Sequence, residues 1–180
     1  ILFITNSLFS QVLYINELDA DTQSTDVLEF IELKSTAPNF VLDDYVLVFY
    51  NGFSSGTGSL SYYALDLDGY STDINGIFLI GNSLVSPTPS IIIPNSSIQN
   101  GPDLVALYVG SASQFPLDTP ATATNFIDAL AYSNNGTTSP TTLMSIFGLT
   151  TFVNENQTSS AATKSISRNN NGTYSVVTPT

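Results

Sequence analysis

Acidic residues at closely spaced positions occur in two segments, residues 17–26 (ELDADTQSTD) and 66–73 (DLDGYSTD). Calcium binds six to eight oxygen ligands, and aspartate side chains in a turn can supply several of them. Neither segment completes the EF-hand loop pattern. We expect a calcium site if the two segments meet at one end of the fold, and otherwise a solvated acidic rim. The candidate ligands are Asp19, Asp21, Asp26, Asp66, Asp68 and Asp73.

Three tyrosines in or beside the second acidic segment could bind a ligand. Tyr62, Tyr63 and Tyr70 would form an exposed face for a glycan or a protein, because an aromatic ring offers a large contact area with a polar tip. The alternative is that one tyrosine of the 62–63 pair lies in the core and the other is a surface neighbour of an adjacent strand.

Most catalytic chemistry is excluded by composition. The chain has no His and no Cys, so a Ser-His-Asp triad, a thiol nucleophile and the usual zinc sites are unavailable to it. A pair of carboxylates could still act in glycoside hydrolysis, but the chain has no Trp on which a sugar could stack. We expect no enzyme and no cofactor, with calcium as the exception.

The charge balance restricts the partners. The chain has 15 acidic and 3 basic residues in 180, a formal net charge of −12. Binding of nucleic acid needs clustered Lys and Arg against the phosphates, and anionic membranes would repel this chain. We expect partners to be flanking domains of a longer protein, or an extracellular protein or glycan.

The first ten residues are apolar but too few to span a bilayer, which needs about 20 residues. They fit the end of a secretory signal peptide, and the alternative is an edge strand. We expect residues 1–10 to be this remnant, 11–177 to form one domain, and 178–180 to begin a linker. The expected location is secreted or on the cell surface, with no transmembrane span.

Elsewhere the apolar residues mostly alternate with a period of two, which is typical of β-strands. Asn-Gly and Asp-Gly pairs separate many of the runs and favour turns. We predict an all-β fold, an antiparallel sandwich of about 8–10 strands with at most one short helix, at 141–148. Prolines around residues 90–93 predict an edge strand there. The strands are expected near residues 12–15, 27–33, 44–50, 61–67, 76–80, 90–93, 103–109, 125–132, 164–168 and 173–177.

Six short motifs in order resemble the lamin tail domain in its bacterial secreted form. Each motif is weak alone, and together they cover nearly the whole chain. The turn at Asp43-Asp44, where the family usually has Ser-Gly, departs from the pattern. The motifs are INEL at 15–18, LEFIEL at 28–33, LDDYVL at 42–47, NGIFLIG at 75–81, NGPDLVALY at 100–108 and SISR at 165–168.

The resemblance implies an immunoglobulin-like sandwich without enzymatic activity, used as an accessory module of secreted or surface proteins. We therefore expect a non-catalytic accessory, structural or interaction domain. The alternative is an extracellular glycan- or protein-binding module that acts through the acidic segments 17–26 and 66–73, with or without calcium.

Charged residues inside the apolar runs are expected to stabilise the fold. An unpaired carboxylate would be costly there, so Glu29 and Glu32 should accept backbone N–H groups. Arg168, the one arginine of the sequence, should pair with Glu17 or Glu32 and thereby tie the last strands to the first.

Overall fold

The computed structural model describes residues 12–22, 25–52, 59–134, 138–157 and 161–180. The predicted signal remnant at 1–10 lies outside these residues. Eleven strands and one α-helix occur in the described ranges. They are β1 (Leu13–Asp19), β2 (Phe30–Ser35), β3 (Tyr45–Asn51), β4 (Leu60–Asp66), β5 (Ile77–Gly81), β6 (Ile91–Ile92), β7 (Asp103–Val109), β8 (Phe126–Ser133), α1 (Thr141–Phe147), β9 (Val153–Asn154), β10 (Ser165–Arg168) and β11 (Tyr174–Val177).

The strands form two sheets, which confirms the predicted all-β sandwich. The six-stranded sheet has the order β11-β10-β1-β2-β5-β6, and the five-stranded sheet has the order β4-β3-β7-β8-β9. Neighbours pair antiparallel except at two edges, where β6 runs parallel to β5 and β9 runs parallel to β8. The proline-flanked β6 is an edge strand, as predicted.

The main core lies between the sheets and is built from alternate positions of each strand. In β3, Leu47 and Phe49 point into this core, while Val46, Val48 and Tyr50 point to the other face of the sheet. This alternation follows from the two-residue period of a strand. Because the five-stranded sheet buries both faces of its central strands, it needs a further layer over its outer face.

Helix α1 supplies part of that layer. Leu143 and Phe147 are buried in the second core beneath it. The helix ends at Gly148, whose left-handed conformation (φ 67°) suits a residue without a Cβ. The helix predicted at 141–148 is therefore confirmed, and its apolar face covers the central strands.

The first and last strands run in the same direction. In the six-stranded sheet, Leu18 pairs with Ile166 and Ile166 pairs with Val176. Strand β1 therefore begins at one end of the sandwich, and β11 finishes at the other. No helix in the described part of the chain is long and apolar enough to cross a membrane.

Candidate functional site

The two acidic segments lie at opposite ends of the sandwich, so the condition for a calcium site shared between them is not met. Asp19 pairs with Phe30, which pairs in turn with Gly81 at the end of β5. Asp73 instead accepts the N–H of Ile77, the first residue of β5, at 2.8 Å. Five residues of strand therefore separate the two segments, about 13 Å along the chain.

Residues 66–73 use their carboxylates to build turns. Asp66 accepts the N–H of Ala112 at 2.9 Å, and Asp68 accepts the N–H of Asp44 at 2.7 Å. Backbone N–H donors, that of Ile77 first, lower the pKa of Asp73 below its ordinary value. No three or more Asp, Glu, His or Cys side chains of the described residues are grouped so as to hold a metal ion.

The three predicted tyrosines do not share one surface. Tyr62 and Tyr63 are half-buried, and both rings pack on Phe49, with centroids 6.0 and 5.9 Å away. The hydroxyl of Tyr62 accepts the N–H of Gln99 at 3.1 Å. Tyr70 lies beyond the end of β4, is 40% exposed and packs against Phe78. The structure thus uses these rings mainly to close the sandwich.

The first acidic segment leads instead to a group of buried carboxylates. Asp19 at the end of β1 is joined there by Glu155, which directly follows β9 on the other sheet. Glu155 accepts the N–H of Ala20 at 3.3 Å. Burial, followed by neighbouring acidic groups, raises the pKa of Asp19 to about 8 and that of Glu155 to about 9. Asp21 is close by and accepts a hydrogen bond from Asn134 at 2.8 Å.

Glu155 was not among the candidate ligands identified from the sequence. It lies in a polar stretch without periodicity, and it follows β9, a two-residue strand that the pattern did not predict. Asp19 and Glu155 are separated by 136 positions in the sequence. Only the pairing of β9 with β8 and the packing of the two sheets bring them together.

Glu29 performs the structural role expected of it. Its carboxylate is fully buried and accepts the N–H groups of Ser97 (3.0 Å) and Ile98 (3.1 Å) and a weaker bond from the side chain of Asn82. Burial raises its pKa to about 7, although these donors oppose the shift. Glu29 therefore fixes the long connection between β6 and β7 onto the start of β2.

Arg168 pairs with a different partner from those expected. Its guanidinium lies 3.0 Å from the carboxylate of Asp128 on β8, not beside Glu17 or Glu32. The reason is the register: Ser167 stands opposite Glu17, so the next residue points to the other side of the strand. Arg168 thus links the two sheets, and Ser165 takes its place by donating to Glu17 at 2.6 Å.

A polar groove of about 460 Å³ lies beside this arginine. It is lined by Tyr14, Lys34 and Arg168 with several amide and hydroxyl side chains, so it contains two of the three cationic residues of the sequence. However, Arg168 already stacks on Tyr14 (4.8 Å) and binds Asp128 and Tyr174. Its charge therefore serves the packing of β10 first.

Two further hydrogen bonds near the end of the chain also stabilise the fold. Thr180 donates its backbone N–H to Glu17 at 3.2 Å, and Lys164 donates to Thr178 at 3.0 Å.

Comparison with family models, with curated proteins and with solved structures finds no match to this chain.

Proposed function

We propose that this chain is a non-catalytic accessory module of the lamin-tail type, serving as a structural spacer within a longer secreted or cell-surface protein. The observation that carries the proposal is the placement of the terminal strands. Strand β1 begins at one end of the sandwich, and β11 ends at the opposite end. Segments that pull on the start of β1 and the end of β11 are therefore held apart along the axis of the sandwich.

The cross-links at these strands fit the same role. Arg168 joins β10 to Asp128 on the other sheet. The hydroxyl of Tyr174 on β11 donates to the carbonyl of Ile15 on β1 at 2.8 Å. The bond between Arg168 and Asp128 is charge-assisted and partly buried, and such bonds are stronger than those between neutral groups. The first bond fastens β10 to the other sheet and the second fastens β11 to β1, where a tension on the chain would act.

The test is the direction dependence of mechanical unfolding. Because the sequence has no cysteine, Val12→Cys and Thr178→Cys give two defined attachment points at opposite ends. Pulling on them shears β10 against β1 and β11, so the paired hydrogen bonds must break together. In single-molecule force spectroscopy we expect a several-fold higher unfolding force than in a peeling geometry.

The matched control uses Val12→Cys with Asn170→Cys. Asn170 lies in the turn between β10 and β11 and lines the groove beside Tyr14 and Thr36, at the end where β1 begins. Force then peels the strands one bond at a time. Equal unfolding forces in the two geometries would contradict a load-resisting spacer.

A further inference from the structure

Asp19 and Glu155 form a carboxylate pair at the junction of the two sheets. Asp19 ends β1 of the six-stranded sheet, and Glu155 follows β9 of the five-stranded sheet. The backbone N–H of Ala20, the residue after Asp19, donates to Glu155 Oε1. This bond places the Glu155 carboxylate directly against the end of β1. The exposed fractions of the two residues are only 6% and 0%, so both are more than nine-tenths buried.

Each carboxylate of the pair has one oxygen without a partner. Asp19 Oδ1 and Glu155 Oε2 are buried and accept no hydrogen bond within the described structure. A buried oxygen that has left water without finding a donor costs about 1–3 kcal/mol, and more if it is charged. Native structures rarely keep such groups unless a proton, a water molecule or an ion satisfies them. Two such oxygens belong to residues that meet at one junction, and we take this as the sign of a shared cation.

We propose that Asp19 and Glu155 together bind one calcium ion at the junction of the sheets, with backbone carbonyl oxygens and water as further ligands. This site differs from the one expected in the sequence, because it takes ligands from one acidic segment and from Glu155. It needs only two carboxylates in contact with the ion, so the lack of a group of three acidic side chains among the described residues does not exclude it.

Calcium fits this donor set better than other biological cations. All the available donors are oxygens, because the chain has no His or Cys, and hard divalent ions prefer oxygen. Calcium accepts six to eight ligands in irregular arrangements, whereas magnesium demands a regular octahedron and releases water reluctantly. An ion bound here would bridge the two sheets at the end where β1, β8 and β9 finish. The inference does not depend on the spacer function.

The test compares thermal unfolding of the full chain in EDTA and in millimolar calcium at pH 7.5. We expect calcium to raise the midpoint by about 5–10 °C at a concentration about 100-fold above the Kd. Magnesium at equal ionic strength should produce a much smaller rise. Asp118→Asn is the matched control, since it removes one exposed negative charge away from the junction, and it should keep the full calcium response.

For Glu155→Gln and Asp19→Asn, we expect the more stable protein of the pair, wild type or variant, to depend on whether calcium is present. In EDTA at pH 7.5 each variant should unfold at or above the wild-type midpoint, because a buried amide is neutral without a proton, whereas the buried carboxyl must take one up on folding. In calcium the wild type should be the more stable protein, and the variants should no longer respond. Terbium luminescence excited through tyrosine gives a second measurement that needs no unfolding. The terbium emission should appear in the wild type, fall on addition of calcium and be lost in both variants.

Three results would overturn the proposal. The first is an unchanged midpoint of the wild type in calcium, which would mean that the pair is neutralised by protons alone. The second is a full calcium response in the folded Glu155→Gln and Asp19→Asn variants. The third is terbium emission that these substitutions do not reduce, which would place the bound ion elsewhere.

Discussion

At the scale of single residues, Asp103 shows how a buried carboxylate makes stability depend on pH. It begins β7, is 1% exposed, and accepts the N–H of Gly52 at 3.0 Å through Oδ1, while Oδ2 has no partner in the described structure. Burial raises its pKa to about 7, which this one hydrogen bond opposes. The hydroxyls of Tyr62 and Tyr132 interact electrostatically with the same carboxyl, and burial raises their pKa values too, so they stay neutral.

The sign of the pH effect follows from the raised pKa. Between pH 4 and pH 7 the unfolded state has already lost the Asp103 proton while the folded state keeps it. Its contribution to the free energy of unfolding is therefore complete below pH 4 and is lost as pH rises to 7. Asp103→Asn keeps the acceptor for Gly52 and removes the charge. We expect the free energy of unfolding of Asp103→Asn, relative to that of the wild type, to increase by on the order of 2–4 kcal/mol between pH 4 and pH 8.

Urea unfolding at pH 4, 6 and 8 measures this difference, with EDTA present throughout. Asp118→Asn is again the control, because Asp118 is exposed and its positive φ of 66° suits asparagine. Its difference from wild type should be small and independent of pH. A pH-independent difference for Asp103→Asn as well would show that Asp103 is ionised in the folded protein.

The buried carboxylates also show how far the sequence predicts a site. Asp19 and Asp21 were identified because alternating acids before a turn are a local pattern. Glu155 and Asp103 carry no such signal, since one lies in a polar stretch and the other at the start of an apolar strand. Their role comes from burial and from neighbours distant in the chain. Arg168 is similar: a fold-stabilising ion pair was expected for it, but its partner, Asp128 on the other sheet, depended on strand register.

At the scale of elements, helix α1 is stabilised mainly by the packing of one aromatic side chain, Phe147, and little by its own hydrogen bonds. Seven residues are too few for a stable isolated helix. Phe147 packs against Tyr50, Tyr108 and Phe126, with ring centroids 6.0, 6.3 and 5.2 Å away. The Tyr50 and Tyr108 hydroxyls are hydrogen-bonded to each other at 2.9 Å beneath it. The helix therefore covers a buried polar contact as well as the second core.

We expect Phe147→Ala to lower the free energy of unfolding by about 3–5 kcal/mol, because it removes a buried ring and leaves a cavity. Thr142→Ala, on the exposed face of the same helix, should change it by less than about 0.5 kcal/mol. Chemical denaturation of both variants measures the difference. A cost below 1 kcal/mol for Phe147→Ala would mean that α1 unfolds separately from the sandwich.

The elements were predicted more completely than their arrangement. Alternating apolar residues and glycine turns are local signals, so strands such as β3, β7 and β8 and helix α1 could be located. Strand β9 was missed because two residues show no periodicity and its parallel pairing with β8 is a long-range contact. The order of strands in each sheet likewise depends on contacts between distant residues, which periodicity does not encode.

At the scale of the whole molecule, the excess of acidic residues opposes folding. The formal charge of −12 is far from zero for 180 residues, and confining like charges in a compact fold produces self-repulsion. The 3.0 Å pair of Arg168 and Asp128 offsets little of it and is partly buried, so salt screens that attraction less than it screens the exposed repulsion.

Monovalent salt should therefore stabilise this protein. Raising KCl from about 10 to about 150 mM shortens the Debye length from about 30 to about 8 Å, which weakens repulsion between exposed carboxylates. With EDTA present, we expect the thermal midpoint to rise by a few degrees and then to level off. The same rise should occur in Glu155→Gln, because screening does not need the carboxylate pair, whereas the calcium response should be absent from that variant. A midpoint that falls with KCl would show that attractive ion pairs, and not the excess of acidic groups, dominate the electrostatics of the fold.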